Sequence, residues 1–338
     1  MNLSSRTVDR PSVLLSQLGG PITAYLDAAA VVAEVGLKRA WVAETRGPDA
    51  LVTAGLIARE HPLEVGTAIV PVYNRSPAIL AMAAADIVRL GGGRPVHLGL
   101  GAGGKVLVEQ WHGIPFERSL ARMRDAIAVI RQAIAGERTD VDGHGWSSHK
   151  FSLLDPPPST ADVRIYIGGM GPKMQALAAE IADGLIVTWL SARILKERAA
   201  AVAADVRGFG RPEGDFKLVA RAYAAVTDEP SAVRENVRQE LVEYVLSPPY
   251  AAYFRSVGFD AEVEAVKAAF EVGDREASRA AISNDLLDEI LIAGPAGEVV
   301  ERLREFAVAG ADDVMVQPVG AGRGGDPIAT IRALGELW

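Results

Sequence analysis

Val96-His97-Leu98-Gly99-Leu100-Gly101-Ala102-Gly103-Gly104 and Ile165-Tyr166-Ile167-Gly168-Gly169-Met170-Gly171-Pro172 share one pattern: a short apolar run opens directly into a glycine-rich turn. Glycine has no Cβ and accepts positive φ, so such a turn can bring bare backbone N–H groups against a ligand. Pro172 suits the first position of a helix, where its fixed φ is already helical and its missing N–H is not needed. A phosphate would then sit at the positive end of that helix. Two turns of this kind on one chain point to a phosphorylated cofactor rather than to simple bends.

Outward from these turns, short β-branched or apolar runs alternate with longer segments of helical period, the mark of a parallel α/β fold. Strands are expected at 13–18, 39–43, 63–70, 96–99, 164–168, 184–188, 217–226 and 313–318. Leu120, Met123, Ile127, Ile130 and Ile134 form one helical face, closed by Gly136; Met174, Leu177, Ala178 and Ile181 form another, closed by Gly184. Eight strands in this rhythm predict an α/β fold of the (β/α)8 TIM barrel type, whose usual length of about 250 residues leaves room for insertions. Two are expected: a polar, proline-rich connection over 136–162, after strand 4, and a mostly helical segment over 230–293, after strand 7. Residues 1–338 read as a single domain with an elaborated rim.

The 338 residues carry 35 Lys and Arg against 43 Asp and Glu, a formal net charge of −8. Nucleic-acid phosphates select for clustered cations, so no nucleic-acid partner is expected. No window holds the roughly 18 uninterrupted apolar residues of a membrane helix, and the polar stretch 1–11 does not read as a secretion signal. The chain has no cysteine, which removes disulfides, thiol catalysis and thiolate metal sites and fits a cytoplasmic location. His144 and His149, with Asp140 and Asp142, lie in a stretch without helical or strand spacing, next to Gly143 and Gly145, so no metal site is expected. Apolar faces over 51–58 and 78–88 suit a homodimer.

The ordered set Gly36-Leu-Lys-Arg-Ala-Trp-Val-Ala-Glu44, Leu63-Glu-Val-Gly-Thr-Ala-Ile-Val70, Arg75-Ser-Pro77, Gly92-Gly-Arg-Pro-Val-His-Leu-Gly-Leu-Gly101, Trp111-His-Gly-Ile-Pro-Phe-Glu-Arg118, Ile167-Gly-Gly-Met-Gly-Pro172 and Ala309-Gly-Ala-Asp-Asp-Val-Met-Val316 resembles the luciferase-like flavin and deazaflavin oxidoreductases, especially their F420-dependent branch. The resemblance covers most of the chain, and it specifies the superfamily far better than the substrate. It implies a (β/α)8 barrel that binds F420, or alternatively FMN, at its C-terminal mouth. It implies hydride chemistry at C5 of a deazaflavin or N5 of a flavin, and a non-prolyl cis peptide at Ala68–Ile69 backing the ring. Many relatives place an acid followed by histidine at the end of the second strand. Here Glu44-Thr45-Arg46 stands instead, so that proton-handling histidine has no counterpart.

The candidate site residues follow from both readings. The backbone of Gly101, Ala102 and Gly103 and of Gly168, Gly169, Met170 and Gly171 would hold the cofactor. Gly99 to Gly104 formally matches G-x-G-x-x-G, but no helix opens directly after it, which argues against a dinucleotide fold. Thr67 and Asn74 would hydrogen-bond the ring, with Ala68 and Ile69 beneath it; strand-end and turn bonding is the structural alternative for Thr67 and Asn74. His112, whose ordinary pKa of about 6.5 lies near neutrality, and Glu44, at a strand end, are the candidate proton carriers. A histidine packed on Trp111 and a backbone-bonded glutamate are the alternatives. Trp111 and Trp189 would line the substrate, with core filling as the alternative for Trp189. Arg323, after the last strand, would assist a substrate carboxylate or a cofactor tail, with an ordinary flexible loop as the alternative, and Asp326 with Pro327 would start the closing helix. The expected activity is F420-dependent hydride transfer to a small organic substrate; an FMN-dependent monooxygenase and a non-catalytic flavin-binding barrel are the alternatives.

Overall fold

Eight parallel strands close on one another in a computed structural model that describes residues 9–16, 20–320 and 324–338. They are β1 (Ser12–Leu14), β2 (Arg39–Val42), β3 (Glu64–Thr67), β4 (Val96–Gly101), β5 (Val163–Gly168), β6 (Gly184–Val187), β7 (Lys217–Val226) and β8 (Asp313–Pro318). Each pairs with the next in chain order, and β8 returns to β1 through Ser12 opposite Met315 and Val13 opposite Val316. The expected (β/α)8 barrel is therefore the observed one. Helices α1 (Ile22–Glu34), α2 (Ala50–Glu60), α3 (Pro77–Leu90), α4 (Ser119–Ile134), α5 (Pro172–Ile181) and α6 (Ala192–Gly208) fill the first six crossovers. After β7 come α7 (Pro230–Leu246), α8 (Pro248–Ser256), α9 (Asp260–Glu271), α10 (Arg275–Ala280) and α11 (Asn284–Ile290), then α12 (Ala296–Val308); α13 (Pro327–Leu337) follows β8.

Local chemistry sets these boundaries. The Asp49 carboxylate accepts from the N–H groups of Leu51 and Val52 and starts α2, while Ser76 caps α3 ahead of Pro77. Asp326 caps α13 with Pro327 at its first turn, as the sequence indicates; Arg323 lies outside the described residues. Met123, Ile127, Ile130 and Ile134 of α4 are buried against the strands, each worth about 1.5–3 kcal/mol of apolar burial. Leu120, expected on that face, is exposed because it falls in the first turn, beyond the sheet.

Several boundaries differ from expectation. The third strand is not continuous over 63–70: it stops at Thr67 and resumes as the pair Val70–Pro71, which bonds β4 at Leu100 and Gly101. β4 runs on to Gly101, so that residue belongs to the strand and not to the turn. Helix α5 ends at Ile181, short of the Gly184 expected to close it, while Gly184 opens β6 as the strand expected at 184–188 requires; a Cβ there would lie 2.4 Å from the Lys217 carbonyl oxygen. The connection over 136–162 contains an antiparallel hairpin, Asp140–Asp142 against Ser147–His149. Asp125 of α4 organises its turn by accepting from the N–H groups of Gly145 and Trp146 at 2.7 and 3.2 Å. A further strand, Leu291–Gly294, pairs with the end of β7 after the helical insertion.

The barrel interior is layered. At the amino-terminal end of the strands Arg39 bonds Glu64 at 2.5 Å and Asp313 at 2.7 Å, and His97 bonds Glu64 at 3.0 Å. Burial pushes the His97 imidazole down to about 4, with Arg39 adding to the effect and Glu64 opposing it. Glu64 falls to about 2 through its bonds to His97 and Arg39, against the cost of burial. Above this plug Leu14, Trp41, Tyr166, Ile186, Val219 and Met315 form an apolar layer. Gly66 admits the Trp41 ring, 2.3 Å from where its Cβ would stand. Conservation of the fold, rather than chemistry, is the work of this end of a barrel.

Candidate active site

Side chains alternate along a strand, so the next interior layer, at the carboxyl ends, follows from the apolar one. It consists of Ser16, Ala43, Ala68, Gly101, Gly168, Thr188, Arg221 and Gln317. The layer is small or polar where the one below is bulky, which leaves room at the end of the barrel where βα-loops build active sites. The hydroxyl oxygens of Ser16 and Thr188, the Asn74 Oδ1 and the Arg221 Nε are buried without a hydrogen-bond partner among the described residues. Buried polar atoms are seldom left so, and three of the four, on Ser16, Thr188 and Arg221, belong to this layer.

The predicted cofactor edge is built by the break after β3. The Ala68–Ile69 peptide bond is cis, as the resemblance implies. The residues around it bond to both neighbouring strands: Ala68 N–H donates to Val42, Glu44 N–H donates to Ile69, and Val72 N–H donates to Gly101. The Ile69 side chain lies over the ends of β4 and β5. A Cβ on Gly101 would stand 2.6 Å from Ile69 Cδ1, and one on Gly168 2.8 Å from Ile69 Cγ2. Both residues are glycine because Ile69 occupies the space of their side chains. Thr67 donates its hydroxyl proton to Gly99 O at 2.8 Å and accepts from Gly99 N–H at 2.9 Å. It thereby rivets β3 to β4, the strand-end bonding that was its structural alternative.

Gly169, Met170 and Gly171 run from β5 into α5, with Pro172 at its first position. Gln175, buried, donates its side-chain amide to the carbonyls of Gly169 at 3.2 Å and Met170 at 3.0 Å, and Arg198 donates to Met170 O at 3.3 Å. With the carbonyls tied down, the N–H groups of Met170 and Gly171 have no acceptor among the described residues. No side chain caps α5, and its first turn has no acid. This is the geometry of an anion site at a helix start. On the facing loop Gly103 takes φ +71° beside Pro71, and Ala102 is partly buried.

The candidate proton carriers are placed differently from each other. Arg75 holds Glu44 at 2.7 Å and also pairs with Asp49, the cap of α2. His112 and Trp111 are exposed at the end of a π-helical turn over Leu107–Trp111. Among the described residues the His112 ring has no hydrogen bond, and no ring contact joins Trp111 to Trp189. Trp189, two residues beyond β6, adopts a left-handed φ of 57°, a conformation uncommon for a bulky residue. It stacks on Tyr223 at 4.6 Å and meets Tyr244 at 4.6 Å, and its carbonyl accepts from Tyr253 at 2.6 Å. Trp189 and Tyr223, each 2% exposed, thus pack in the apolar core that the helical insertion lays over this side of the barrel. A groove of about 410 Å³ on the barrel's outer surface, lined by α4 and α5, holds none of the predicted site residues. Among the described residues no cluster of acids and histidines could hold a metal ion, and no helix is long and apolar enough to cross a membrane.

The model of the family described as luciferase-like monooxygenase matches residues 1–313. The chain belongs to the luciferase-like monooxygenase family. It is an oxidoreductase of that family. It is 31% identical over 286 residues to a 5,10-methylenetetrahydromethanopterin reductase of Archaeoglobus fulgidus, covering 83% of each chain. It is 29% identical over 315 residues to a Mycobacterium tuberculosis protein named for coenzyme F420-dependent oxidoreductase activity, covering 86% of this chain and 90% of the other. The solved coenzyme F420-dependent tetrahydromethanopterin reductase of Methanopyrus kandleri superposes with a TM-score of 0.81 at 21% identity, over 97% and 96% of the two chains, and so shares the fold.

At this end of the barrel, sequence reasoning missed the buried or loop-bonding side chains of Ser16, Thr188, Gln175, Arg198 and Arg221. Arg221 carried a legible signal, a lone charge at an interior position of the apolar run Leu218–Val226. The others are ordinary polar residues whose position only the folded strands reveal.

Proposed function

We propose that this protein is an F420-dependent oxidoreductase that moves hydride between a deazaflavin ring and a small organic substrate. The observation that carries the proposal is the Ile69 platform flanked by Gly101 and Gly168 and running into the open start of α5. A flat ring joined to an anionic tail fits a flat apolar edge that ends in unspent N–H groups. The naming of the relatives for F420 chemistry supports the choice of ring. When bound, F420 supplies the carbon that takes or gives hydride.

The chain's own residues bind, orient and dry the site. Met170 and Gly171 N–H groups receive the anionic tail at the positive end of α5. Ile69 and Ala68 support one ring face, while Ala102, Gly103 and Asn74 border it. Trp189 and Trp111 contact the substrate, and the insertion excludes water from it. Glu44, paired with Arg75, fixes the loop behind the platform. His112, with both ring nitrogens unspent, moves the proton if a substrate oxygen changes protonation. We place the enzyme in the cytoplasm and infer a homodimer. Val52, Ile79, Met82 and Leu90 are exposed on the adjacent helices α2 and α3 and give it an apolar face. A monomer by light scattering would reject the dimer.

The test is turnover of reduced F420 by the full chain against a panel of carbonyl and unsaturated compounds. Substrate-dependent oxidation is expected. Binding without turnover on any of them would favour a non-catalytic barrel, and oxygen-dependent turnover with reduced FMN alone would favour the monooxygenase chemistry of the family's name.

A further inference from the structure

β7 stands across the barrel from β3: β8, β1 and β2 separate them on one side and β4, β5 and β6 on the other. A flat ligand resting one face on Ile69 therefore turns its other face toward β7. The interior positions of β7 are Val219, Arg221 and Tyr223. Arg221 thus projects a guanidinium into the layer that is otherwise small and uncharged.

Arg221 has spent little of its bonding capacity. Its Nη2 donates to the Tyr223 hydroxyl at 2.6 Å, and its guanidinium carbon lies 4.8 Å from the Tyr223 ring centre. Its buried Nε has no acceptor, and no ion pair joins it to a described carboxylate. Burial opposes its charge, but the fields of Tyr223, Tyr244, Tyr250 and Glu240 outweigh this, so its pKa rises above the ordinary arginine value. Trp189, stacked on Tyr223, likewise buries its Nε1 without an acceptor. Two partnerless groups on one wall are both donors. A ligand that satisfies them must bring acceptors, and a planar guanidinium matches the two oxygens of a carboxylate or phosphate.

We propose that Arg221 anchors the substrate through an oxyanion, so that this enzyme acts on a small acid, a carboxylate or phosphate ester, whose apolar body lies against Trp189 and Tyr223. The inference rests on the reading above that the cofactor ring occupies the β3 side.

The test uses F420-loaded full chain and three probes: benzoate, its uncharged isostere benzamide, and inorganic phosphate, followed by ligand-observed NMR titration. Wild type is expected to bind benzoate at least tenfold more tightly than benzamide. Arg221→Met should erase that preference and Arg221→Lys should keep part of it, with F420 affinity within twofold in all three proteins. Competition by phosphate assigns phosphate esters, and benzoate binding untouched by phosphate assigns carboxylates; either supports the anchor. Equal binding of the two isosteres by wild type, or a preference that survives Arg221→Met, overturns it. So does a tenfold loss of F420 affinity in Arg221→Met, which would assign the guanidinium to the cofactor. A wild-type chain that binds no F420 fails before any probe is added and overturns the cofactor reading together with the anchor.

Discussion

Gly168→Ala presses directly on the platform. Its new methyl would stand 2.8 Å from Ile69 Cγ2, whereas carbon contacts settle at about 3.5–4.0 Å. Ile69 must therefore withdraw by roughly 1 Å. Its backbone cannot follow freely, because Ile69 O accepts from Glu44 N–H at 3.1 Å on one side. Overpacking of this kind costs about 1–3 kcal/mol. Urea unfolding should show that loss, and F420 titration should show at least about a tenfold weaker complex, the equivalent of about 1.4 kcal/mol. A double-mutant cycle isolates the cause. In an Ile69→Ala background the methyl meets no branch, so the stability cost of Gly168→Ala should vanish, giving a coupling of about 1–3 kcal/mol. The same cost in both backgrounds, or wild-type cofactor affinity in Gly168→Ala, would refute the steric account of the platform.

Acid should weaken the fold through His97. Its folded pKa of about 4 lies below the ordinary 6.5, so the unfolded chain takes up the proton first as pH falls. The contribution is complete above about pH 6.5 and about 3 kcal/mol is lost by pH 4. Urea melts over that range should flatten in His97→Gln, and an unchanged slope would contradict this. Gln175→Ala frees two carbonyls of the α5 loop; a stability loss of about 1–3 kcal/mol and weaker F420 binding are expected, whereas unchanged affinity would show that the loop does not hold the cofactor. Arg75→Met leaves Glu44 and Asp49 without their shared cation. Arg75 helps to hold the Asp49 carboxyl below its ordinary 3.8, so thermal melts should show a larger deficit at pH 7 than well below that value, where Asp49 takes up a proton in folded and unfolded chain alike; a pH-independent deficit would point to lost packing alone.

The barrel was legible because eight apolar runs and the helices between them follow simple periods. Its register details were not. The stop at Thr67 goes with bonds to other strands, Ala68 N–H to Val42 and Val72 N–H to Gly101, and nothing local in the run Leu63–Val70 marks that point. The hairpin over 140–149 looked shapeless because its order comes from Asp125, on another element. Leu291–Gly294 was hidden inside a segment read as helical, since four residues are too few to show a period. At the site, the glycine turns were readable as places without side chains. Two of the glycines, Gly101 and Gly168, prove to be there for Ile69. Ser16 and Thr188 could not be chosen from among the chain's many hydroxyls until the strand alternation fixed which of them face inward.

Equilibrium titration of the full chain with F420 and, separately, with FMN, followed by their absorption spectra, bears most directly on the deazaflavin assignment. Saturable F420 binding, with FMN at least tenfold weaker, is the expected result. Tight FMN binding with no response to F420 would contradict it.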